Sequence, residues 1–131
     1  MTPEPRELQE LVRELHQQAA PWQPAGLGSR LNWGPPVMGA SATVSCRRLS
    51  GIVEHSPGDF TVTALAGTPL VELQAELARH RQWLAVDWPW GSELAGQASG
   101  SLGGLVARGL AGGLRQRYLG VRDQIIGLEL I

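Results

Sequence analysis

The chain has 131 residues, and 17 Gly with 9 Pro make up 26 of them, above the usual share of roughly 12% and below the roughly 25–30% that marks low-complexity disorder. Eleven basic residues against twelve acidic ones leave a net charge of -1, which argues against a nucleic-acid or polyanion binder. Every basic residue is arginine, so a Walker-type phosphate lysine and Schiff-base chemistry are excluded. The single cysteine, Cys46, excludes an internal disulfide framework and reads as a small buried hydrophobe. No run approaches the ~20 apolar residues of a membrane span. Met1 to Gln18 has no apolar signal core, so a cytoplasmic, reducing location is expected.

Leu8, Leu11, Val12 and Leu15 fall on one helical face. Pro5 suits the first turn, and Glu4 and Glu7 suit the positive end of the dipole. These signals predict a packing helix from Pro5 to Ala19, ending before Pro21 and set off as an N-terminal segment, residues 1–20. Pro21 to Met38, rich in Pro and Gly, reads as loop. Thr43 to Cys46 reads as a short strand, and Leu49 to Glu54 as a helical turn. Ser56-Pro57-Gly58-Asp59 is a turn, and Phe60 to Leu65 is the cleanest strand.

Thr68 is the expected N-cap of a second helix, with Pro69 in its first position. Leu70, Leu73 and Leu77 form its apolar stripe, and Arg79, His80 and Arg81 crowd its C-terminal end. Trp83 to Val86 reads as a strand, which would make an α/β crossover with Phe60–Leu65. Trp88-Pro89-Trp90-Gly91 reads as a rigid aromatic turn, and Ser92 to Ser101 as a small, polar stretch. Gly103-Gly104 opens a short helix, and Gly109, Gly112 and Gly113 punctuate the loop after it. Gln124 to Ile131 reads as an apolar strand, suggesting a missing partner strand. Ten of the glycines lie between Gly91 and Ile131.

Two glycine loops carry the chemistry. Gly26-Leu27-Gly28-Ser29-Arg30-Leu31 lacks the third glycine of the Rossmann fingerprint and opens no helix. Successive N–H groups there can nonetheless form an anion nest, with the Ser29 hydroxyl and Arg30 guanidinium close by. Ser99-Gly100-Ser101-Leu102-Gly103-Gly104 places two glycines at a helix start, a second anion or flat-ring site. Two such loops flanking an α/β unit suggest an extended nucleotide with a diphosphate.

With these loops in view, residues 21–131 resemble the N-terminal part of the FAD-binding domain of the FAD-linked oxidases. These are the PCMH-type flavoproteins, named after p-cresol methylhydroxylase and vanillyl-alcohol oxidase. Within that family the chain is most similar to the FAD-binding subunit of glycolate oxidase (glycolate dehydrogenase), cyanobacterial relatives included. The landmarks are Gly26 to Gly34, Leu49 to His55 and Pro57 to Ala64, then Ala66-Gly67, Leu70, Leu73, Gln82-Trp83-Leu84 and Asp87. Ser101 to Gly104 and Leu114 to Asp123 complete them. The resemblance implies an α+β fold of PCMH/vanillyl-alcohol-oxidase type: a small α/β subdomain, then the start of a second α+β subdomain, incomplete at its C-terminal end.

It also implies a site. Gly26, Leu27, Gly28, Ser29, Arg30 and Leu31 would cradle the FAD pyrophosphate. Ser101, Leu102, Gly103 and Gly104 would lie along the ribityl chain and pyrophosphate. Gly113, Tyr118 and Gly120 would sit near the flavin. Arg115, Arg117 and Arg122 stand near this last group as solvated or Asp123-paired cations. Leu27 intervenes where the family's first loop is richer in glycine, and Leu119 stands where a small residue is common.

His16, His55 and His80 read as surface residues outside any flavin-attachment context, so non-covalent FAD is expected. With no Cys/His cluster, no metal or iron–sulfur site is expected, and no residue is a convincing general base. The implied function is the FAD-binding portion of a flavin-dependent oxidoreductase. It would oxidise a 2-hydroxy acid with FAD as hydride acceptor, within a heteromeric complex. A non-catalytic remnant, or a flavin-binding interaction module completed by another chain, remain the alternatives.

Overall fold

The computed structural model describes residues 1–39, 42–87, 100–110 and 112–131. The aromatic turn at Trp88–Gly91 and the stretch through Ser99 lie outside the described residues. In chain order the elements are α1 (Pro5–Gln17), β1 (Trp22–Ala25), β2 (Ala42–Ser45), β3 (Ile52–Ser56) and β4 (Thr61–Ala64). Then come α2 (Leu70–Arg79), α3 (Leu102–Arg108) and α4 (Arg115–Tyr118). Single 3-10 turns follow β3 at Pro57–Asp59 and follow α4 at Arg122–Gln124. The architecture is α+β, as the sequence suggests.

α1 starts with Pro5, and the Glu4 N–H donates to Glu7 Oε2 at 3.1 Å. Its Leu8 and Leu15 are buried and form one core cluster with Val44 of β2, flanked by Leu11, Val12, Trp22 and Cys46. Burial pushes the Cys46 thiol pKa up, as befits a small apolar side chain in this cluster. The helix ends two residues short of the expected Ala19, which takes a left-handed backbone at φ 49°. The second cluster joins Leu70 of α2, Val86, Leu105 of α3 and Val121, with Leu84, Leu102, Val106 and Ile125 packed around it.

Four expectations are corrected. Trp22–Ala25 is a strand, not loop, pairing in parallel with β2 from Trp22 opposite Ala42 to Ala25 opposite Ser45. Pro24 is tolerated there because β1 has a single strand neighbour. The segment read as a helical turn overlaps β3 at Ile52 to Glu54, and β3 pairs antiparallel with β4 around the Pro57–Asp59 turn. The β-branched pair Ile52-Val53 favours that extended form. Hence β4 and α2 are not part of a parallel crossover.

Third, the strand expected from Trp83 to Val86 does not form. The Leu84 N–H donates to Gln74 Oε1 at 3.0 Å, and Gln74 Nε2 donates to the Leu84 carbonyl at 2.9 Å. Gln124 Nε2 donates to the Ala85 carbonyl at 3.0 Å. Side-chain amides therefore take the backbone positions that a neighbouring strand would use. Fourth, the expected strand at Gln124–Ile131 gives way to the second 3-10 turn and an irregular end, where Ile126, Leu128, Leu130 and Ile131 are exposed.

Thr68 also departs from its expected role. The helix begins at Leu70 with Pro69 as N-cap, and no side chain caps it. The buried Thr68 hydroxyl instead donates to the Gly51 carbonyl at 3.1 Å and accepts from the Gly51 N–H at 3.0 Å. Leu65 also donates to the Gly51 carbonyl, at 2.9 Å, so loss of the hydroxyl orphans chiefly the Gly51 N–H. Thr68→Val is expected to destabilise the chain by about 1–3 kcal/mol, with Thr68→Ser milder, both read from urea midpoints. Leu119 has φ 66° and ψ -171°, a region essentially reserved for glycine and costing about 1–3 kcal/mol otherwise. Its side chain is largely exposed, so Leu119→Gly is expected to stabilise by about 0.5–1 kcal/mol after the entropy of the unfolded glycine is counted. A lower thermal midpoint would contradict that reading.

Candidate functional site

The two glycine loops meet. A side chain at Gly26 would run into the Ser101 hydroxyl, so only a glycine lets the first loop lie against the second. A Cβ at Gly100 would stand 3.0 Å from an Arg30 guanidinium nitrogen and 3.2 Å from Ser29 Oγ. A Cβ at Gly103 would stand 2.9 Å from the Ala66 Cβ. The second loop is thus wedged between the first loop and the β4–α2 junction.

The backbone donors of the two loops have different fates. At the start of α3, the Leu102 N–H donates to the Thr68 carbonyl at 2.9 Å and the Gly103 N–H to the Ala66 carbonyl at 2.6 Å. The Gly104 N–H donates to Ser101 Oγ at 3.3 Å, and the Leu105 N–H to the Ser101 carbonyl at 3.0 Å. These amides are satisfied inside the protein. In the first loop the Leu27, Gly28 and Ser29 N–H groups have no hydrogen-bond acceptor among the described residues. Leu31 closes the turn by donating to the Gly28 carbonyl at 3.4 Å. The loop's own carbonyls are tied behind it. Ser45 Oγ donates to the Gly26 carbonyl at 3.2 Å, and the Arg47 guanidinium to the Leu27 carbonyl at 3.4 Å.

The charge around this loop is positive. The Arg30 guanidinium lies over the Trp33 ring at 4.9 Å and the Arg108 guanidinium at 5.2 Å. Two cations share one indole. Burial, and then the neighbouring Arg108, hold the Arg30 pKa below its ordinary value. Arg108 forms no ion pair among the described residues. Three successive open amides beside two guanidiniums make a site for an anion with several oxygens, such as a pyrophosphate. Arg108 and Trp33 were not among the residues the sequence singled out for the site. Arg108 ends α3 seven residues after Ser101, and only the folded helix shows that it reaches Trp33.

The third predicted group lies elsewhere in the contact network. Tyr118 packs edge-on against Trp83 at 5.5 Å, with the Arg117 guanidinium 5.6 Å from its ring. The Gly120 N–H donates to Asp123 Oδ2 at 2.9 Å, and the space beside Gly113 is open. The neighbouring Leu114 N–H is held by Asp87 Oδ2 at 2.7 Å. Asp87 therefore anchors the chain ahead of α4. Among the described residues, no hydrogen bond or ring contact ties Gly113, Tyr118 or Gly120 to the two glycine loops. The histidines divide. His16 and His80 are exposed as expected, but the His55 side chain is only 8% exposed, because β3 carries it against α2.

No helix among the described residues is long and apolar enough to cross a membrane. Residues 3–131 match the FAD-binding domain family model. The chain is 36% identical over 124 residues to glycolate oxidase subunit GlcE of Escherichia coli (strain K12), spanning 95% of this chain and 33% of that protein. It is 27% identical over 130 residues to the probable mitochondrial D-lactate dehydrogenase of Danio rerio, spanning 97% of this chain and 24% of that protein. Two crystal forms of alkyldihydroxyacetonephosphate synthase share its fold. Their TM-scores are 0.72 and 0.73 at 22% and 19% identity, over 94% and 96% of this chain and 24% and 22% of those chains. The chain thus spans a third or less of the length of these relatives. The open amides and paired guanidiniums fit the diphosphate of the family's cofactor, and the chain belongs to the PCMH-type FAD-binding domain family, with FAD as its cofactor.

Proposed function

We propose that this chain is the FAD-pyrophosphate-binding portion of a flavin-dependent oxidoreductase acting on a 2-hydroxy acid, as part of a heteromeric assembly. The observation that carries the cofactor site is the row of open N–H groups at Leu27, Gly28 and Ser29 beside Arg30 and Arg108. In this reading Gly26 to Leu31 wraps the diphosphate, and its amides and guanidiniums neutralise the charge. Ser101, Leu102, Gly103 and Gly104 support that loop and line the cofactor rather than donate to its phosphates. Gly113, Tyr118 and Gly120 lie toward the flavin. When bound, FAD supplies the redox chemistry by accepting two electrons as hydride from the carbon bearing the hydroxyl. The residues of this chain hold and orient it, non-covalently.

The substrate class is supported by similarity to a protein named as a glycolate oxidase subunit and to one named as a D-lactate dehydrogenase. The word subunit in the first name supports a multi-chain assembly. A reducing cytoplasm suits the free thiol of Cys46.

Titrating the purified chain with FAD and with riboflavin, by quenching of flavin fluorescence, separates phosphate recognition from ring recognition. FAD is expected to bind at least about tenfold more tightly than riboflavin. Arg108→Gln is expected to weaken FAD by about 5–20-fold, one charge-assisted contact of roughly 1–2 kcal/mol, and to leave riboflavin unchanged. Equal affinities for the two ligands would overturn the pyrophosphate assignment.

A further inference from the structure

A second polar cluster lies at the C-terminal end of α2. His55 of β3, Glu76 of α2 and His80 just beyond α2 each offer one donor atom, and these atoms lie within 4.8 Å of one another. Glu76 and His80 are four residues apart at the end of one helix, so they share a face. His55 of β3 lies against both, with its ring edge-on to His80 at 4.9 Å. His55 Nδ1 is 3.9 Å from Glu76 Oε1, too far for a hydrogen bond.

His55 is the informative member. Its side chain is more than nine-tenths buried, with 8% exposed. Its Nε2 lies 3.0 Å from Gln82 Oε1, while Gln82 Nε2 donates to the Pro57 carbonyl at 2.7 Å. The oxygen of Gln82 only accepts, so His55 Nε2 is the donor of that bond, and in the neutral imidazole Nδ1 holds a lone pair. That Nδ1 is buried, has no hydrogen-bond partner among the described residues, and lies 3.9 Å from Glu76 Oε1 in the cluster with His80. A lone pair turned toward a carboxylate leaves a buried acceptor without a donor, which costs free energy unless a cation lies between them. Gln82 plays the part of the outer partner that fixes the tautomer and direction of a metal-ligating imidazole.

We propose that His55 Nδ1, Glu76 Oε1 and His80 form a binding site for a divalent cation of the zinc class, clamping β3 to the C-terminal end of α2. Two imidazoles and one carboxylate suit Zn²⁺, with the fourth position left to water. Donors around a tetrahedral zinc at about 2.0–2.1 Å lie about 3.3 Å apart, so the side chains draw together by at most about 1.5 Å on binding. His80 is exposed, and its ring already packs edge-on against His55 at 4.9 Å. The other Glu76 oxygen, Oε2, stays paired with Arg79 at 2.7 Å. The sequence shows no compact Cys/His motif because His55 stands 21 residues before Glu76, and only the fold brings them together.

The test uses the metal alone on the chelator-treated full chain, without flavin, so it is independent of the FAD assignment. Calorimetric titration with Zn²⁺ should show one saturable equivalent, and saturation should raise the thermal midpoint by about 5 °C or more, because the ion binds only the folded state. Mg²⁺, a hard cation that prefers oxygen ligands, should do neither. His80→Ala, which removes an exposed side chain, and Glu76→Gln should each weaken Zn²⁺ at least about tenfold. His16→Ala should leave it unchanged. Absence of a saturable equivalent, or zinc affinity retained in both His80→Ala and Glu76→Gln, would overturn the site.

Discussion

The chain depends on one seam, where the β4–α2 junction meets the start of α3. Three backbone hydrogen bonds cross it: Gly103 N–H to the Ala66 carbonyl, Leu102 N–H to the Thr68 carbonyl, and Leu70 N–H to the Gly100 carbonyl. Pro69 and Ser101 face each other across it as an antiparallel bridge. Because the contact is backbone to backbone, it needs residues without bulk, and Gly103 supplies one side. Thr68 stands at the centre. Its carbonyl holds α3, and its hydroxyl holds Gly51 at the entry to β3. One residue therefore links the β3–β4 hairpin, α2 and α3.

The seam decides which groups remain for a ligand. It occupies the first donors of α3, so that helix start is a wall and not an anion hole. Gly26 then packs its bare α-carbon against Ser101 on that wall. With Ser45 and Arg47 holding its carbonyls, the first loop leaves the amides of Leu27, Gly28 and Ser29 without acceptors among the described residues. Arg30 and Arg108 approach the same place across Trp33. Two mutually repelling guanidiniums favour an anion between or beside them. Position and charge thus agree on a polyoxygen anion, and the family's cofactor, FAD, carries such a group in its diphosphate.

Local signals made much of this legible. The leucine stripes of α1 and α2, the residues of β2 and β4 and the glycine loops are properties of short segments, and they stand out in the sequence. What stayed hidden depends on distant partners. β1 contains Pro24 and is extended because β2 lies alongside it. The segment at Trp83–Val86 looks like a strand by composition, but the side chains of Gln74 and Gln124 satisfy its backbone. Thr68 has the sequence of an N-cap and the geometry of a clasp. His55 is buried only because β3 is a strand, so misreading Leu49–Glu54 as helical also hides its environment. For the proposed site, the glycines of the first loop are legible in the sequence, whereas Arg108 comes beside Trp33 only through the folded α3.

Amide chemical shifts of the ¹⁵N-labelled chain during titration with FAD test the central claim most directly. The largest changes are expected on Leu27, Gly28 and Ser29, whose N–H groups gain phosphate acceptors, while Leu102 and Gly103 keep the shifts set by their bonds to Thr68 and Ala66. Large changes at Leu102 and Gly103 with none at Leu27 to Ser29 would contradict it, and would place the diphosphate on α3 instead of the first loop.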